Sequence, residues 1–369
     1  MNRGIPFDNK LTGKTYLVTG ASGFIGGRIV ERICRDYKGK VKAIVHNLGH
    51  AARIARFDIE ILPGNILNKE WLHEVTKNVD YVIHCAFGNS PDHILNRKIT
   101  VGGSLNIAQA SLQNNVKRFV YFSTMSVYGS PLSTICNELS PYQKIPGDNY
   151  NNDKIEAEQI IDKYIKKGLP TVILQPTVVY GPFASVWTQW IVNMLRQNQL
   201  FLIGEGKGLA NPVFVDNVVD AVFLSMTKDE AVGRKFIISD GKTITWKDFF
   251  YYYQLMINKN SIPQYKLLLK YKYLFLTTLV DMTKKLKGKI YPGTLFQTQN
   301  TFTKSFDNLN KETEKMKSIL LNDNLQLFFK DRCLFDIDKA KKILKYHPRI
   351  SLKKGMDLTH TWLKYSRSI

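Results

Sequence analysis

A glycine-rich turn follows directly on a short strand-like run near the start of the chain, in the order Gly-Ala-Ser-Gly-Phe-Ile-Gly. Its glycines are Gly20, Gly23 and Gly26. Between a strand and a helix, the first glycine permits a tight turn, the second lets the backbone approach a pyrophosphate, and the third lets the helix pack closely on the sheet. The free N–H groups at the start of that helix bind anionic oxygens. The pattern therefore predicts a dinucleotide-binding βαβ unit.

Apolar runs of strand length alternate with helix-length segments over the first half of the chain. The predicted strands cover residues 16–18, 41–45, 81–83, 118–122 and 171–174. The predicted helices cover residues 25–36, 69–77, 104–114 and 154–167. Alternation of this kind, with strands that are apolar on both faces, predicts an α/β fold with a doubly wound, Rossmann-type parallel sheet.

A chain of 369 residues is long for one compact unit. We expect a dinucleotide-binding Rossmann domain at residues 1–182 that also recruits about 209–245, because residues 211–215 and 235–238 look like further strands. A smaller, interleaved C-terminal domain that binds substrate is expected from residues 183–208 and 246–369.

The chain carries a formal net charge of +21, with 52 Lys and Arg residues against 31 Asp and Glu residues. Such an excess favours anionic ligands or surfaces. The lysines are dispersed rather than clustered with aromatic platforms, so we expect no specific nucleic-acid partner. The four cysteines show neither metal spacing nor a disulfide framework, which predicts no metal site and a reducing, cytoplasmic location.

No run of about 18 uncharged apolar residues occurs, so we expect no membrane-spanning helix. The closest approach is residues 265–280, where leucine-rich stretches alternate with lysines, and more lysines follow up to residue 289. Amphipathic helices are commoner in protein cores than on lipids, so a helix with a solvated lysine face is expected there. Peripheral contact with the inner face of an anionic membrane is the alternative.

A second motif, Tyr-Asn-Asn-Asp-Lys, places Lys154 four residues after Tyr150. On a helix this spacing puts the two side chains one turn apart on the same face. A tyrosine of ordinary pKa, about 10, is mostly protonated at neutral pH and needs help to act as a base. We expect the ammonium of Lys154 and a positive nicotinamide ring to lower the pKa of the phenol. Tyr150 is then the base in oxidation of a carbinol and the acid in the reverse reduction.

A hydroxyl that follows the predicted strand at 118–122 supplies the third candidate catalytic group. Thr124 can hydrogen-bond the substrate oxygen, and Ser123 and Ser126 are alternatives in the same role. Together with the glycine-rich turn, these residues predict a nicotinamide-dependent oxidoreductase.

Six motifs occur in the order found in the extended short-chain dehydrogenases/reductases, the NAD-dependent epimerase/dehydratase family. They lie at residues 19–26, 84–86, 122–129, 150–154, 179–182 and 215–219. The chain resembles this family from about residue 14 to residue 250, and more weakly at residues 335–362. The resemblance implies NAD(P) as the cofactor and Tyr150, Lys154 and Thr124 as the catalytic residues.

The resemblance also implies a set of cofactor-binding residues. They are Gly20, Ser22, Gly23, Phe24, Ile25, Gly26, His46, Asn65, Ile66, Cys85, Ala86, Tyr150, Lys154 and Pro176. His46 follows the second strand, where NAD enzymes of this fold usually carry an acid for the ribose hydroxyls, and Arg53 and Arg56 lie nearby. The absence of this acid, together with the nearby positive charge, slightly favours NADP over NAD. Asn65 stands where the family usually has an aspartate that contacts adenine.

Some positions depart from the family pattern. Met125 and Ser126 follow Thr124, where sugar-nucleotide dehydratases have Asp-Glu, so a 4,6-dehydratase is not expected. Arginines that the family often carries are replaced by Gln175 and Lys207. The lack of an arginine near Lys207 weakens the case for a nucleoside-diphosphate substrate without excluding it.

Three functions stay open, in decreasing order of expectation. The first is an epimerase or oxidoreductase that acts on a sugar, typically a nucleotide-activated one. The second is a reductase or dehydrogenase of a lipid-like or 3β-hydroxysteroid-type alcohol or ketone. The third, suggested only by the net charge, is a non-enzymatic nucleotide- or RNA-binding protein of the same fold. Family members often pair through the helices that correspond to residues 104–114 and 154–167, so a homodimer is expected by analogy.

Overall fold

The computed structural model describes residues 9–131, 133–263, 277–278 and 329–369. The predicted amphipathic segment at 265–280, with its lysines up to residue 289, lies outside the described residues except for 277–278. Within the described ranges, no helix combines the length and the apolar character that crossing a bilayer demands.

Strands and helices alternate along the described chain. The strands are β1 (Thr15–Thr19), β2 (Lys40–Val45), β3 (Glu60–Pro63), β4 (Tyr81–His84), β5 (Arg118–Phe122), β6 (Ile135–Cys136), β7 (Thr171–Pro176), β8 (Val178–Tyr180), β9 (Pro212–Phe214), β10 (Arg234–Ile238) and β11 (Leu334–Phe335). The helices are α1 (Phe24–Arg32), α2 (Lys69–Thr76), α3 (His93–Arg97), α4 (Gly103–Gln113), α5 (Asn149–Lys166), α6 (Ile191–Arg196), α7 (Val215–Thr227), α8 (Trp246–Met256) and α9 (Leu352–Tyr365).

The central sheet has seven strands in the order β10-β7-β5-β4-β1-β2-β3, and every neighbouring pair is parallel. The order reverses between β1 and β4, which is where ligands bind in doubly wound sheets. The predicted α/β fold is therefore confirmed. The sheet recruits β10, as expected for residues 235–238, but β9 pairs instead with β8 in a separate two-stranded sheet. The edge strand β3 was not predicted.

The central strands are buried on both faces because helices cover the sheet. Every residue of β4, β5 and β7 is buried. Such strands need continuous apolar runs rather than alternating ones, which is why their sequences were recognisable. On one side of the sheet, α2, α4 and α5 pack around Leu72, Ile107 and Ile161, all fully buried.

The chain divides into two compact units. The first contains residues 1–190, 209–245 and 331–369, and the second contains residues 191–208 and 246–330. This division differs from the predicted one at residues 183–190 and 331–369, which belong to the first unit. The reason lies in strand pairing and packing: β11 pairs with β6, and Gly355 of α9 lies directly against Tyr180 of β8.

Ion pairs on α7 bind this helix to α1 and to the C-terminal segment. The carboxylate of Asp216 accepts two hydrogen bonds from Arg28, at 2.5 and 2.8 Å. One turn later, buried Asp220 accepts a hydrogen bond from Arg32 at 3.2 Å and pairs with Arg349. Because Asp220 is 2% exposed, its two arginines offset the cost of burying the charge.

Asn217 links α7 to the backbone just before α9. Its Oδ1 accepts the N–H groups of Arg349 and Ile350 at 3.1 and 3.0 Å. Its Nδ2 donates to the Ile350 carbonyl at 2.8 Å and to Asp240 Oδ1 at 2.7 Å. Asn217 is fully buried, and this one amide makes four hydrogen bonds, three to the backbone of Arg349 and Ile350 and one to Asp240.

We predict that Asn217→Ala lowers the free energy of unfolding by about 3 kcal/mol, because it removes four hydrogen bonds, three of them to the backbone before α9. Chemical denaturation followed by circular dichroism measures the change. Asn89→Ala, at an exposed loop position, is the control and should change stability by less than about 0.5 kcal/mol. Equal effects of the two variants would show that the Asn217 amide does not hold the C-terminal segment.

Candidate active site

The glycine-rich turn between β1 and α1 packs so closely that side chains are excluded. Gly20 has a φ of +65°, and a Cβ atom there would lie 2.9 Å from the Ala86 nitrogen. A Cβ atom on Gly26 would lie 2.2 Å from the Gly20 carbonyl oxygen. Gly23 is the N-cap of α1 and provides no side-chain cap. The first turn of α1 therefore presents backbone N–H groups to an anion at the carboxyl end of β1.

The other predicted cofactor residues follow the carboxyl ends of neighbouring strands. His46 comes directly after β2 and is exposed, and Pro176 is the last residue of β7 and is buried. Cys85 and Ala86 follow β4. The structure brings Ala86 against Gly20, whereas His46 and Pro176 share only the same edge of the sheet with the turn.

Asn65 and Ile66, which follow β3, point to different environments. Asn65 is exposed, and its Oδ1 accepts the Leu67 N–H at 2.9 Å, which stabilises the turn. Ile66 is buried, and its Cδ1 occupies the space that a Cβ atom on Gly103 would need. Asn65 is thus exposed at the end of β3, whereas Ile66 packs inside the protein against α4.

A buried chain of hydrogen bonds supports the backbone beside Gly20. The Ala86 N–H donates to Thr19 Oγ1 at 3.2 Å, and Thr19 Oγ1 lies 2.6 Å from His84 Nδ1. On its other side, His84 Nε2 lies 3.1 Å from Ser104 Oγ, which donates to the Thr100 carbonyl. Burial lowers the pKa of His84 to about 3, so the ring is neutral at pH 7. Ser104 uses its proton on Thr100, so His84 donates through Nε2 and accepts through Nδ1.

Tyr150, Thr124 and Lys154 meet where β5 and α5 approach each other. The Thr124 side chain lies near enough to the Tyr150 hydroxyl to lower its pKa. Lys154 is 4% exposed, and its Nζ donates to the Phe122 carbonyl at 2.9 Å. Helix α5 starts earlier than the predicted residue 154, because Asp148 caps it by accepting the Asn151 N–H.

Burial shifts the pKa values of both Lys154 and Tyr150. Burial lowers the pKa of Lys154 to about 8. Part of the Tyr150 ring reaches solvent, the residue being 43% exposed, but protein surrounds its hydroxyl, and this burial raises the pKa of Tyr150 above its ordinary value. The Thr124 side chain acts in the opposite direction. The pKa of Tyr150 in the protein alone is therefore set mainly by burial, which disfavours the phenolate.

Phe87 is a site residue that the sequence analysis missed. Its ring lies edge-on to Tyr150, with 5.8 Å between ring centroids, and Lys154 Nζ lies 5.6 Å from the Phe87 centroid. Phe87 is 43% exposed, so its ring borders the Tyr150 hydroxyl and also faces solvent. Its position directly after Cys85-Ala86 was the available signal, but only the fold brings it to Tyr150.

The two alternative hydroxyls differ in their surroundings. Ser123 Oγ donates to the buried carboxylate of Glu158, so it is already engaged inside the protein. Ser126 Oγ is buried and has no hydrogen-bond partner in the part of the chain that the structure describes. Of the three hydroxyls, Thr124 is the one that influences the pKa of Tyr150.

The two arginines behind the predicted preference for NADP are engaged by a carboxylate. Arg53 and Arg56 each place a guanidinium nitrogen near a Glu31 carboxylate oxygen, at 3.5 and 3.2 Å. Arg53 also donates to the Phe24 carbonyl at 3.1 Å and lies over the Phe183 ring, 4.0 Å from its centroid. Glu31 therefore balances part of the charge that would attract a 2′-phosphate.

The described residues fit a dinucleotide. The glycine turn leaves only backbone at the start of α1. The neighbouring strand ends present Ala86 and Thr124 beside it, at the point where the strand order reverses. Next to them, the partly exposed Phe87 ring contacts the Tyr150 ring.

Comparison with known protein families matches residues 16–239 to the NAD dependent epimerase/dehydratase family. Among curated proteins, the chain is 24% identical to UDP-glucose 4-epimerase of Vibrio cholerae, over 63% of this chain and 72% of that protein. It is 26% identical to a decarboxylating sterol-4-alpha-carboxylate 3-dehydrogenase of Schizosaccharomyces pombe, over 95% of this chain and 97% of that protein.

The solved structures that resemble the chain share its fold. One is UDP-glucuronic acid 4-epimerase from Bacillus cereus in complex with NAD, with a TM-score of 0.70 and 18% sequence identity. The match covers 95% of this chain and 99% of that one. At this identity the likeness concerns the fold, a seven-stranded parallel sheet flanked by helices.

The close approach at Gly26 gives a testable pair of variants. Gly26→Ala places a methyl group 2.2 Å from the Gly20 oxygen, so the turn must open, and we expect affinity for NADH or NADPH to fall at least about tenfold. Gly27→Ala, the next residue of α1, meets its nearest atoms at 3.3 Å and should weaken binding much less. Titration of cofactor fluorescence measures both, and equal affinities for the two variants would contradict binding at this turn.

Proposed function

The chain belongs to the NAD-dependent epimerase/dehydratase family and is an enzyme of the extended short-chain dehydrogenase/reductase type, and we propose that it interconverts a carbinol and a ketone at Tyr150. The observation that carries this proposal is the position of the Thr124 side chain near the Tyr150 hydroxyl, one helical turn from buried Lys154. A substrate oxygen placed between the two hydroxyls is bound by one and exchanges its proton with the other.

Tyr150 moves the proton in this proposal. In oxidation, the Tyr150 phenolate takes the proton of the substrate hydroxyl while the C–H bond breaks and the carbonyl forms. In reduction, the Tyr150 phenol returns that proton to the oxygen as the carbon gains a hydride. Thr124 donates a hydrogen bond to the same oxygen and fixes its position. NAD(P) supplies the redox chemistry by accepting the hydride in oxidation and giving it back in reduction.

Lys154 supplies the positive charge that the phenolate needs. Its ammonium is anchored at the Phe122 carbonyl, 2.9 Å away, and lies one helical turn from Tyr150. Burial raises the pKa of Tyr150 in the protein alone, so the ammonium and the positive ring of the oxidised cofactor together must offset that desolvation. The phenolate is therefore expected to form only in the loaded enzyme.

For the substrate, we propose a ring alcohol or ketone of lipid-like character. Support comes from the sterol dehydrogenase relative, which matches nearly the whole of both chains. The exposed Phe87 ring beside Tyr150 also supports it, because it offers apolar surface where the substrate would lie. Under this proposal the enzyme works with net oxidation or reduction of the cofactor.

A nucleotide-activated sugar is the second candidate substrate. Support comes from the Vibrio cholerae relative, a UDP-glucose 4-epimerase, which is 24% identical over 63% of this chain. An epimerase returns the hydride to the opposite face of the ketone, so it works without net change in cofactor. That difference separates the two candidates in a single assay.

We predict that Tyr150→Phe lowers the turnover rate at least about a thousandfold and leaves cofactor affinity nearly unchanged, because only the transferable proton is lost. Tyr365→Phe, at a residue that is 87% exposed, is the matched control and should keep full activity. Substrates are first chosen by thermal stabilisation of the protein in the presence of NAD or NADP, with sterol-like ketones and sugar nucleotides compared.

The assay then follows absorbance of the reduced nicotinamide during turnover. A stoichiometric change supports the lipid-like carbinol, whereas substrate conversion at constant absorbance supports the sugar epimerase. Full activity of Tyr150→Phe would remove Tyr150 from the mechanism and with it the proposed reaction.

A further inference from the structure

A buried carboxylate lies directly behind the proposed catalytic groups. Glu158 follows Lys154 by four residues on α5, so the two side chains share one face of the helix. Glu158 is fully buried. A carboxylate at such a site requires several hydrogen bonds and a positive charge to offset the loss of water.

The partners of Glu158 come from four different segments. Ser123 Oγ, immediately after β5, donates to Oε2, and Tyr142 Oη, in the segment before α5, donates to Oε1. Gln175 Nε2 of β7 donates to both oxygens, at 3.0 and 3.1 Å. Lys235 Nζ of β10 lies 3.2 Å from Oε1 and supplies the positive charge. One side chain thus joins three strands of the sheet to the helix that carries Tyr150.

Two of these partners adjoin the catalytic hydroxyls. Ser123 is fixed by its N–H, which donates to the Leu174 carbonyl at 2.8 Å, and by its Oγ on Glu158. A residue held at both its backbone and its side chain leaves the next residue, Thr124, little freedom to turn away from Tyr150. Tyr142 anchors the segment that leads into the first turn of α5, where Tyr150 lies.

Hydrophobic residues stabilise a protein interior as well as buried ion pairs do, so stability alone does not account for a charge at this place. The contacts of Glu158 instead fix two positions, Ser123 next to Thr124 and Tyr142 in the segment before α5. These two positions set the separation of the Thr124 and Tyr150 hydroxyls. We propose that Glu158 is a positioning residue, which holds Ser123 and Tyr142 so that Thr124 and Tyr150 both face the substrate oxygen. This inference rests on the proposed function of Tyr150.

The charge of Glu158 has a second effect, on the ammonium of Lys154. Burial lowers the pKa of Lys154, while the negative charges of Cys85, when ionised, and of Glu158 oppose that change. Among the residues that the structure describes, the other groups beside the ammonium carry no formal charge: the neutral His84 ring, the Tyr121 and Phe87 rings, and the Phe122 carbonyl. Removal of the Glu158 charge therefore favours the neutral amine.

The experiment compares Glu158→Gln and Ser123→Ala in the holoenzyme, measured in the direction of ketone reduction as a function of pH. Both variants should lower kcat at least about tenfold with little change in cofactor affinity, because each loosens Thr124. Reduction requires protonated Lys154, so the rate falls on the alkaline side. In Glu158→Gln that alkaline limb should move to lower pH by about half a unit or more.

Ser123→Ala keeps the carboxylate, so its alkaline limb should stay where the unmodified enzyme has it. Asp162→Asn is the matched control, because Asp162 lies one turn further along α5 and faces the same Lys235 at 3.8 Å. This control should change neither kcat nor the position of the limb. Ser123→Ala deletes a single hydroxyl and tests the positioning role even where Glu158→Gln folds poorly.

The outcomes separate this inference from the function on which it rests. Unchanged kcat in Ser123→Ala and an unmoved limb in Glu158→Gln, with Tyr150→Phe inactive, would overturn the positioning role and leave the reaction in place. Activity in Tyr150→Phe would overturn the reaction itself. Equal losses in Asp162→Asn and Glu158→Gln would reduce Glu158 to a residue that only stabilises α5.

Discussion

Every strand of the seven-stranded sheet runs in the same direction, and the rest of the molecule depends on that constraint. All carboxyl ends meet at one edge, so residues from distant parts of the sequence end up as neighbours there. The glycine turn, Ala86 and Thr124 each follow a different strand by only a few residues. At the reversal of strand order, between β1 and β4, the backbone of Gly20 touches that of Ala86 without an intervening side chain.

Burial determines the pKa values of the ionisable groups at the carboxyl ends of the strands. It keeps His84 neutral, so the ring acts as a fixed hydrogen-bonding link beneath the glycine turn. It lowers the pKa of Lys154 and raises that of Tyr150, and both shifts oppose the charged forms that proton transfer uses. In the proposed reaction, the positive charge of the oxidised cofactor would offset these shifts and so couple proton transfer to cofactor binding.

Two buried polar residues, Glu158 and Asn217, fix the positions of segments that lie outside the strands. Glu158 collects hydrogen bonds from β5, β7, β10 and the segment before α5. Asn217 does the same for the backbone before α9. Each is fully buried and satisfied by several partners, so each specifies one arrangement of its neighbours, since an alternative arrangement would leave polar groups without water or partner.

The sequence by itself determined the α/β fold, the glycine turn and the pairing of Tyr150 with Lys154, because these depend on local periodicity and on spacings within one element. It also located Thr124, which lies two residues after the buried strand β5. Tertiary structure alone decided that Phe87 borders Tyr150, that Glu31 binds Arg53 and Arg56, and that residues 331–369 join the first unit. These outcomes depend on contacts between residues far apart in the sequence, and the pKa of Tyr150 depends on how much protein surrounds its hydroxyl. No local sequence pattern encodes these long-range contacts or the burial of the Tyr150 hydroxyl.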